Sequence, residues 1–213
     1  SRVSERGHVG GSYRFYANDY GIPGGFIGGH ATGVDIVMRR HAGRLDADLG
    51  PATLILPGGS MALVAGPPRS GRTTALLVAA TGARDAGWSV VVVRAAPGPF
   101  VGIGAVVDPD ADELAAVLRT DRGPTLVVVD DAEATAPDHP TLLALATGRR
   151  RDRIVVVAGR NDRLRAGWSH WTREARADRR GLLLDADPAL DGALPGPRVP
   201  RPRSRARRSR STS

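Results

Sequence analysis

From Met61 to Leu184, short apolar runs alternate with stretches whose apolar residues recur at helical spacing, a pattern that predicts βαβ units and a parallel sheet. Residues 62–65 read as a short buried strand running into a Gly/Pro turn, and 73–84, rich in Ala and Leu, as the helix after it. Strands follow at 89–94, 126–129, 154–158 and 182–184, most of them continuous runs of Val, Ile or Leu, as expected where both faces are covered. Between them the spacing predicts helices over 110–119, 140–147 and 168–177; in the first, Asp110 or Asp112 is the cap and Leu114, Val117 and Leu118 share a face. The expected class is α/β, a mostly parallel doubly wound sheet of about five strands with flanking helices.

The first 50 residues break this pattern. They hold Tyr13, Phe15, Tyr16, Tyr20 and Phe26, more than half of the aromatic residues, yet the spacing fits neither a strand nor a helix period, and glycines at 24, 25, 28 and 29 interrupt any helix. A lead-in that wraps the following domain is expected, with an interaction arm as the alternative. The chain divides into this segment (1–50), a domain (51–195) and a tail (196–213).

Charge sets the tail apart. Of 30 Lys+Arg against 22 Asp+Glu in 213 residues, a formal +8, seven arginines and no acid lie in 196–213, so the tail holds +7 and the body is close to neutral. A Pro/Arg/Ser segment cannot bury a core, and it reads as a solvated tail or a non-specific polyanion contact. The basic residues are all arginine, with no lysine anywhere. Cysteine is also absent, which removes disulfide scaffolds, zinc ribbons and thiol catalysis and suits a reducing cytoplasm. No apolar run approaches the ~20 residues of a membrane span. A cytoplasmic protein is expected, any membrane association being made through other domains or partners. With Ser1 in place of Met and no signal segment, the chain is expected to be processed or part of a longer one.

The informative segment is Gly66-Pro67-Pro68-Arg69-Ser70-Gly71-Arg72-Thr73-Thr74, which fits the phosphate-binding pattern G-x-x-x-x-G-K-[ST] except that Arg72 stands at the lysine. Glycines let such a loop curl so that backbone N–H groups point inward, and the following helix adds its positive end toward a phosphate. The Thr73 hydroxyl is then placed for Mg²⁺. Two glycines alone mean little in a chain with 27 of them; the weight comes from the predicted strand before and helix after. A second element agrees: the strand 126–129 ends in Asp130-Asp131, where Asp130 would hold Mg²⁺ through water and Asp131 would orient or deprotonate an attacking water. A strand end followed by a helix cap is the plain alternative for the pair, and taken alone it is the better one.

The Gly-Pro-Pro-Arg-Ser-Gly-Arg-Thr-Thr loop, the Val-Val-Val-Asp-Asp-Ala-Glu strand end, and the stretches Gly181-Leu182-Leu183-Leu184 and 191–201 together resemble an FtsK/SpoIIIE-type ATPase domain, closest to the last ATPase domain of actinobacterial multi-domain members and type VII secretion ATPases. The resemblance covers about residues 50 to 201. It implies a RecA-like P-loop NTPase fold that binds ATP with Mg²⁺, assembles as a homo-oligomer or as tandem ATPase domains, and acts on double-stranded DNA or a secreted protein. Carried over, Gly66, Gly71, Arg72, Thr73 and Thr74 hold phosphates while Asp130 and Asp131 serve metal and water. Arg72 departs from the family pattern, because a planar guanidinium is a bulky substitute for ammonium inside a closed loop, so impaired hydrolysis is expected. A non-catalytic docking or regulatory module derived from the P-loop fold is the alternative. The family's DNA-handling loops and DNA-reading module have no counterpart.

Other residues carry less. Histidines 8, 30, 41, 139 and 170 show no metal-ligand spacing and are expected to pack or sit at the surface. The run Arg149-Arg150-Arg151-Asp152-Arg153 reads as a solvated charge run ahead of an arginine finger. Arg160 and Asn161 follow the fourth strand, where a γ-phosphate-sensing group would sit, and Trp168 and Trp171 are expected to pack in a core or interface.

Overall fold

The structure is a computed structural model that describes residues 54–95, 98–109, 112–121, 123–178, 180–184 and 194, together with the backbone of 12–15, 25–30, 33–38 and 52–53. In chain order the elements are β1 (Ser12–Phe15), β2 (Gly25–His30), β3 (Gly33–Met38), β4 (Ala52–Pro57), β5 (Met61–Ala65), α1 (Arg72–Asp85), β6 (Ser89–Val93) and β7 (Ala105–Val107). Then come α2 (Glu113–Thr120), β8 (Thr125–Val129), a 3-10 turn (Ala132–Ala134), α3 (Pro140–Thr147), β9 (Arg153–Gly159), α4 (Asn161–Ala166), α5 (Thr172–Ala177) and β10 (Gly181–Leu184).

Seven strands form one sheet in the order β1-β10-β5-β9-β8-β6-β7, and every pairing in it is parallel. Because side chains alternate across a strand, each buried run feeds two cores. Ala62, Val64, Val92, Val128 and Val156 face α1, whose Ala75, Ala79 and Ala83 are small enough to bring the helix close to the sheet. Leu63, Val91, Val127 and Val155 face the other way, onto Leu114 and Leu118 of α2, Leu142 of α3, Leu164 of α4 and Ala175 of α5. Helices thus cover both faces, which is what the unbroken apolar strands require. A second, antiparallel sheet of order β2-β3-β4 lies against α1, and Leu54 and Leu56 of β4 enter the α1-side core.

The five strands expected from the sequence all form, as do helices at 72–85, 113–120 and 140–147. Three differences have physical reasons. The Gly-rich first 50 residues, where no period is legible, hold β1, β2 and β3; β2 and β3 pair residue for residue from Gly25 opposite Met38 to His30 opposite Gly33, and backbone pairing of this kind does not need an alternating side-chain pattern. Strand β7 is only three residues long and exposes Ala105 and Val106, too little apolar sequence to register. The helix expected over 168–177 is instead a turn followed by the short α5, with α4, which the spacing does not predict, ahead of the turn: Trp168 lies in the turn with 80% of its surface exposed, and of the two tryptophans only Trp171 packs in the core. The turn is fixed by His170, whose Nδ1 accepts from the Thr172 backbone N–H while Nε2–H donates to the Thr135 carbonyl. Asp112 precedes α2 without capping it through its side chain, and Asp110 lies outside the described residues. The tail 196–213 lies outside them as well. Among the described residues no helix is long and apolar enough to cross a membrane.

Candidate functional site

Strands β5, β9 and β8 stand side by side, and their carboxyl ends deliver Gly66, Arg160 and Asp130 to one edge of the sheet. Ligands of open parallel sheets bind at this edge. The loop leaving β5 is anchored by the Gly66 N–H on the Gly159 carbonyl (3.3 Å) and turns through the Ser70 N–H on the Pro67 carbonyl (3.3 Å). It then passes through two left-handed residues, Arg69 (φ 65°) and Gly71 (φ 95°). No atom would touch a Cβ at Gly71, so its backbone angle and not crowding is what asks for glycine there. Gly66 is the reverse case: a Cβ would meet the Leu184 carbonyl at 3.0 Å and strike the Ser70 hydroxyl. Gly71 is also the residue before α1, and no side chain caps that helix; its first turn carries no acid, which leaves the positive end open to an anion. Pro67 is half-buried, while Pro68 and Arg69 line the exposed side of the loop. Thr74 lies half-buried in the first turn of α1.

Helix α1 places Thr73 so that its hydroxyl donates to Asp130 Oδ2 at 3.0 Å across 57 residues of sequence. Asp130 is 4% exposed. Its Oδ1 accepts from the Asp131 N–H (3.2 Å), and Arg94, just past β6, brings Nη1 to 3.6 Å from Oδ2. Burial pushes the Asp130 carboxyl above its ordinary value; the Thr73 hydroxyl pulls it down, the Asp131 charge pushes it up, and the Arg94 guanidinium pulls it down again.

Asp131 points elsewhere. Its backbone is left-handed (φ 48°), its side chain is more than half exposed, and its Oδ1 pairs with Arg72 Nη2 at 3.0 Å. Arg72 in turn donates through Nη1 to the Gly66 carbonyl (2.6 Å), so its guanidinium closes back over the loop and ties the loop's first residue to the end of β8. Glu133, in the 3-10 turn, caps the end of β9: Oε1 accepts from the Arg160 N–H (3.0 Å), and Oε2 is buried with no hydrogen-bond partner. A Cβ at Gly159 would come within 2.6 Å of that oxygen.

No family model and no curated protein matches this sequence. Solved structures do. A structure described as an ATPase superposes with a TM-score of 0.52 at 19% identity, covering 73% of this chain and 78% of its own. A structure of EssC (ATPases 2 and 3) from Geobacillus thermodenitrificans superposes with a TM-score of 0.51 at 16% identity, covering 66% of this chain and 32% of the EssC chain. The mostly parallel sheet with flanking helices is consistent with a RecA-like fold. The chain spans about a third of the EssC piece it matches, and at these identities the likeness speaks for the fold.

The structure therefore brings Gly66, Ser70, Gly71, Arg72, Thr73, Asp130 and Asp131 together at one sheet edge, with β9 standing between the two contributing strands. Arg160 and Asn161 do follow β9, but the Arg160 side chain pairs with Asp162. The charges at 149 and 150 are taken up within the chain, by Asp178 and Asp152, at the opposite end of the strands. His139 and His170 are buried and hydrogen-bonded, and among the described residues no group of three His, Cys, Asp or Glu is arranged to hold a metal ion. Sequence reasoning missed Arg94 and Glu133. The only signal either offers is its place: one charged residue at, or just past, the end of a strand.

Proposed function

We propose that this chain is an ATP-binding FtsK/SpoIIIE-like domain of a DNA-translocation or type VII protein-secretion machine, with impaired hydrolysis. The observation that carries the reading is the 3.0 Å bond between Thr73 and Asp130, which joins the phosphate-type loop after β5 to the end of β8, one strand beyond its neighbour β9, at the sheet edge where this fold holds nucleotide. The loop N–H groups and the uncapped start of α1 would receive the phosphates, with Arg72 as the side-chain cation. A hydroxyl and a carboxylate in contact suit Mg²⁺, a hard cation that keeps most of its waters, and Thr73 and Asp130 are the residues that would hold it. When bound, Mg²⁺ supplies charge stabilisation at the phosphates. Asp131 is the group to orient the attacking water, and its ion pair with Arg72 holds it away from that task. The EssC likeness supports the secretion setting, and tandem or homo-oligomeric assembly belongs to the same reading.

The Arg72–Asp131 pair also favours a second reading, a non-catalytic module that binds nucleotide without turning it over. Calorimetric titration with ATP beside a phosphate-release assay tests both. ATP binding supports the nucleotide site, and its absence overturns it. Arg72→Ala is expected to weaken ATP binding by about tenfold or more, the worth of one charge-assisted hydrogen bond. Arg72→Lys, which frees Asp131 and restores a compact donor, is expected to raise turnover. Binding by the parent with no turnover in either protein would make the module the better account.

A further inference from the structure

Arg94 sits in a pocket built for it. Its side chain is 17% exposed, its guanidinium stands over the ring of Phe100 at 5.7 Å, and Phe100 is itself fully buried. Room for the head group exists because residue 98 is glycine; a Cβ there would collide with Arg94 Nη1 and crowd Cζ. Nε and Nη1 are buried and make no hydrogen bond, a costly arrangement for a cation. What they have is charge: Asp130 Oδ2 lies 3.6 Å from Nη1, an ion pair without a hydrogen bond, and the Asp130 side chain is 1% exposed. The aromatic face offsets part of the desolvation. A guanidinium is thus sealed against the one carboxylate that the nucleotide reading assigns to the metal.

Resting on that reading, we infer that Arg94 sets the metal dependence of the site. Held on Asp130, it neutralises the carboxylate from within the protein, so that ATP binding gains little from Mg²⁺. It acts through Asp130 and is a positioning residue: its Nη1 stands 3.6 Å from Oδ2, and Nε and Nη1 are buried. A divalent cation reaching Thr73 and Asp130 has to share Oδ2 with a fixed positive charge, and repulsion between like charges a few ångströms apart is strong in a buried site.

The experiment is ATP titration by calorimetry in Mg²⁺ and in EDTA, for the parent, Arg94→Gln and Gly98→Ala. Gly98→Ala keeps the charge but pushes the flexible end of Arg94 off Asp130, so it answers the question even if Arg94→Gln fails to fold. The parent is expected to bind with similar affinity in both conditions, and both variants to gain a Mg²⁺-to-EDTA affinity ratio larger by about tenfold or more, a charge contact between bulk-water and buried strength. A role in packing alone would change both affinities together and leave the ratio unmoved. A strongly Mg²⁺-dependent parent, or one ratio shared by the parent and every variant that folds, overturns the inference while leaving the nucleotide site intact. Absence of ATP binding by the parent in both conditions overturns the nucleotide reading and this inference with it.

Discussion

Asp130 faces two opposed demands, because the burial that brings it to Thr73 also makes its charge unfavourable. Its folded-state pKa lies above the ordinary carboxylate value, with burial as the largest cause. The sign follows by linkage: the folded protein takes up this proton at a higher pH than the unfolded chain does, so the ionised group costs stability at neutral pH, and that cost fades as pH falls through the raised pKa. Asp130→Asn removes the charge and keeps both contacts only with one reversed: its oxygen accepts from the Asp131 N–H, and its NH2 donates to the Thr73 hydroxyl. At neutral pH the variant's melting temperature is raised by relief of the buried charge and lowered by leaving Arg94 without its counter-charge, and the difference from the parent is expected to close as the medium is acidified into the carboxylate range. The same variant is expected to lose whatever Mg²⁺ adds to ATP affinity. Thermal melts across pH check the first part; a variant less stable than the parent at neutral pH would show that Asp130 is a net structural contributor.

At the scale of elements, the 3-10 turn after β8 is tied to α5 by one hydroxyl. Thr135 Oγ1 donates to the Ala132 carbonyl (2.7 Å) and accepts from Trp171 Nε1 (2.9 Å), both in the core. Thr135→Val keeps the shape and leaves the buried indole N–H unpaired, a loss of about 1–3 kcal/mol that urea unfolding would read; unchanged stability would mean that Trp171 is held by packing alone. This junction also shows where sequence reading stops. Strands β5, β6, β8, β9 and β10 are legible because a strand covered on both faces is written as an uninterrupted apolar run. The break between α4 and α5 is not, since it depends on His170 reaching Thr135, 35 residues away. The loop from Gly66 to Thr74 and the pair Asp130-Asp131 are legible because their chemistry is local: glycines and hydroxyls in a row, carboxylates after a strand. Arg94 and Glu133 are single charged residues whose meaning comes from sheet order. Arg94 matters because β6 lies beside β8, and Glu133 because β9 lies between β8 and β5.

For the whole molecule, the charge at the sheet edge is largely settled internally: Arg72 faces Asp131, Arg94 faces Asp130, and residues 1–195 are close to neutral. A long-range positive field must therefore come from residues 196–213, which carry seven arginines and no acid. If those arginines contact a polyanion, binding releases counterions from it, and each phosphate neutralised adds about 0.9 to the slope of log affinity against log salt on duplex DNA. Truncation after Pro195 is then expected to weaken binding to a duplex of arbitrary sequence and to flatten that slope by several units at most, independent of ATP. Fluorescence anisotropy over a salt series reads both quantities. A full-length chain and a truncated chain with the same slope would assign any DNA contact to the folded body, and the basic tail would then be a solvated segment with no share in polyanion binding.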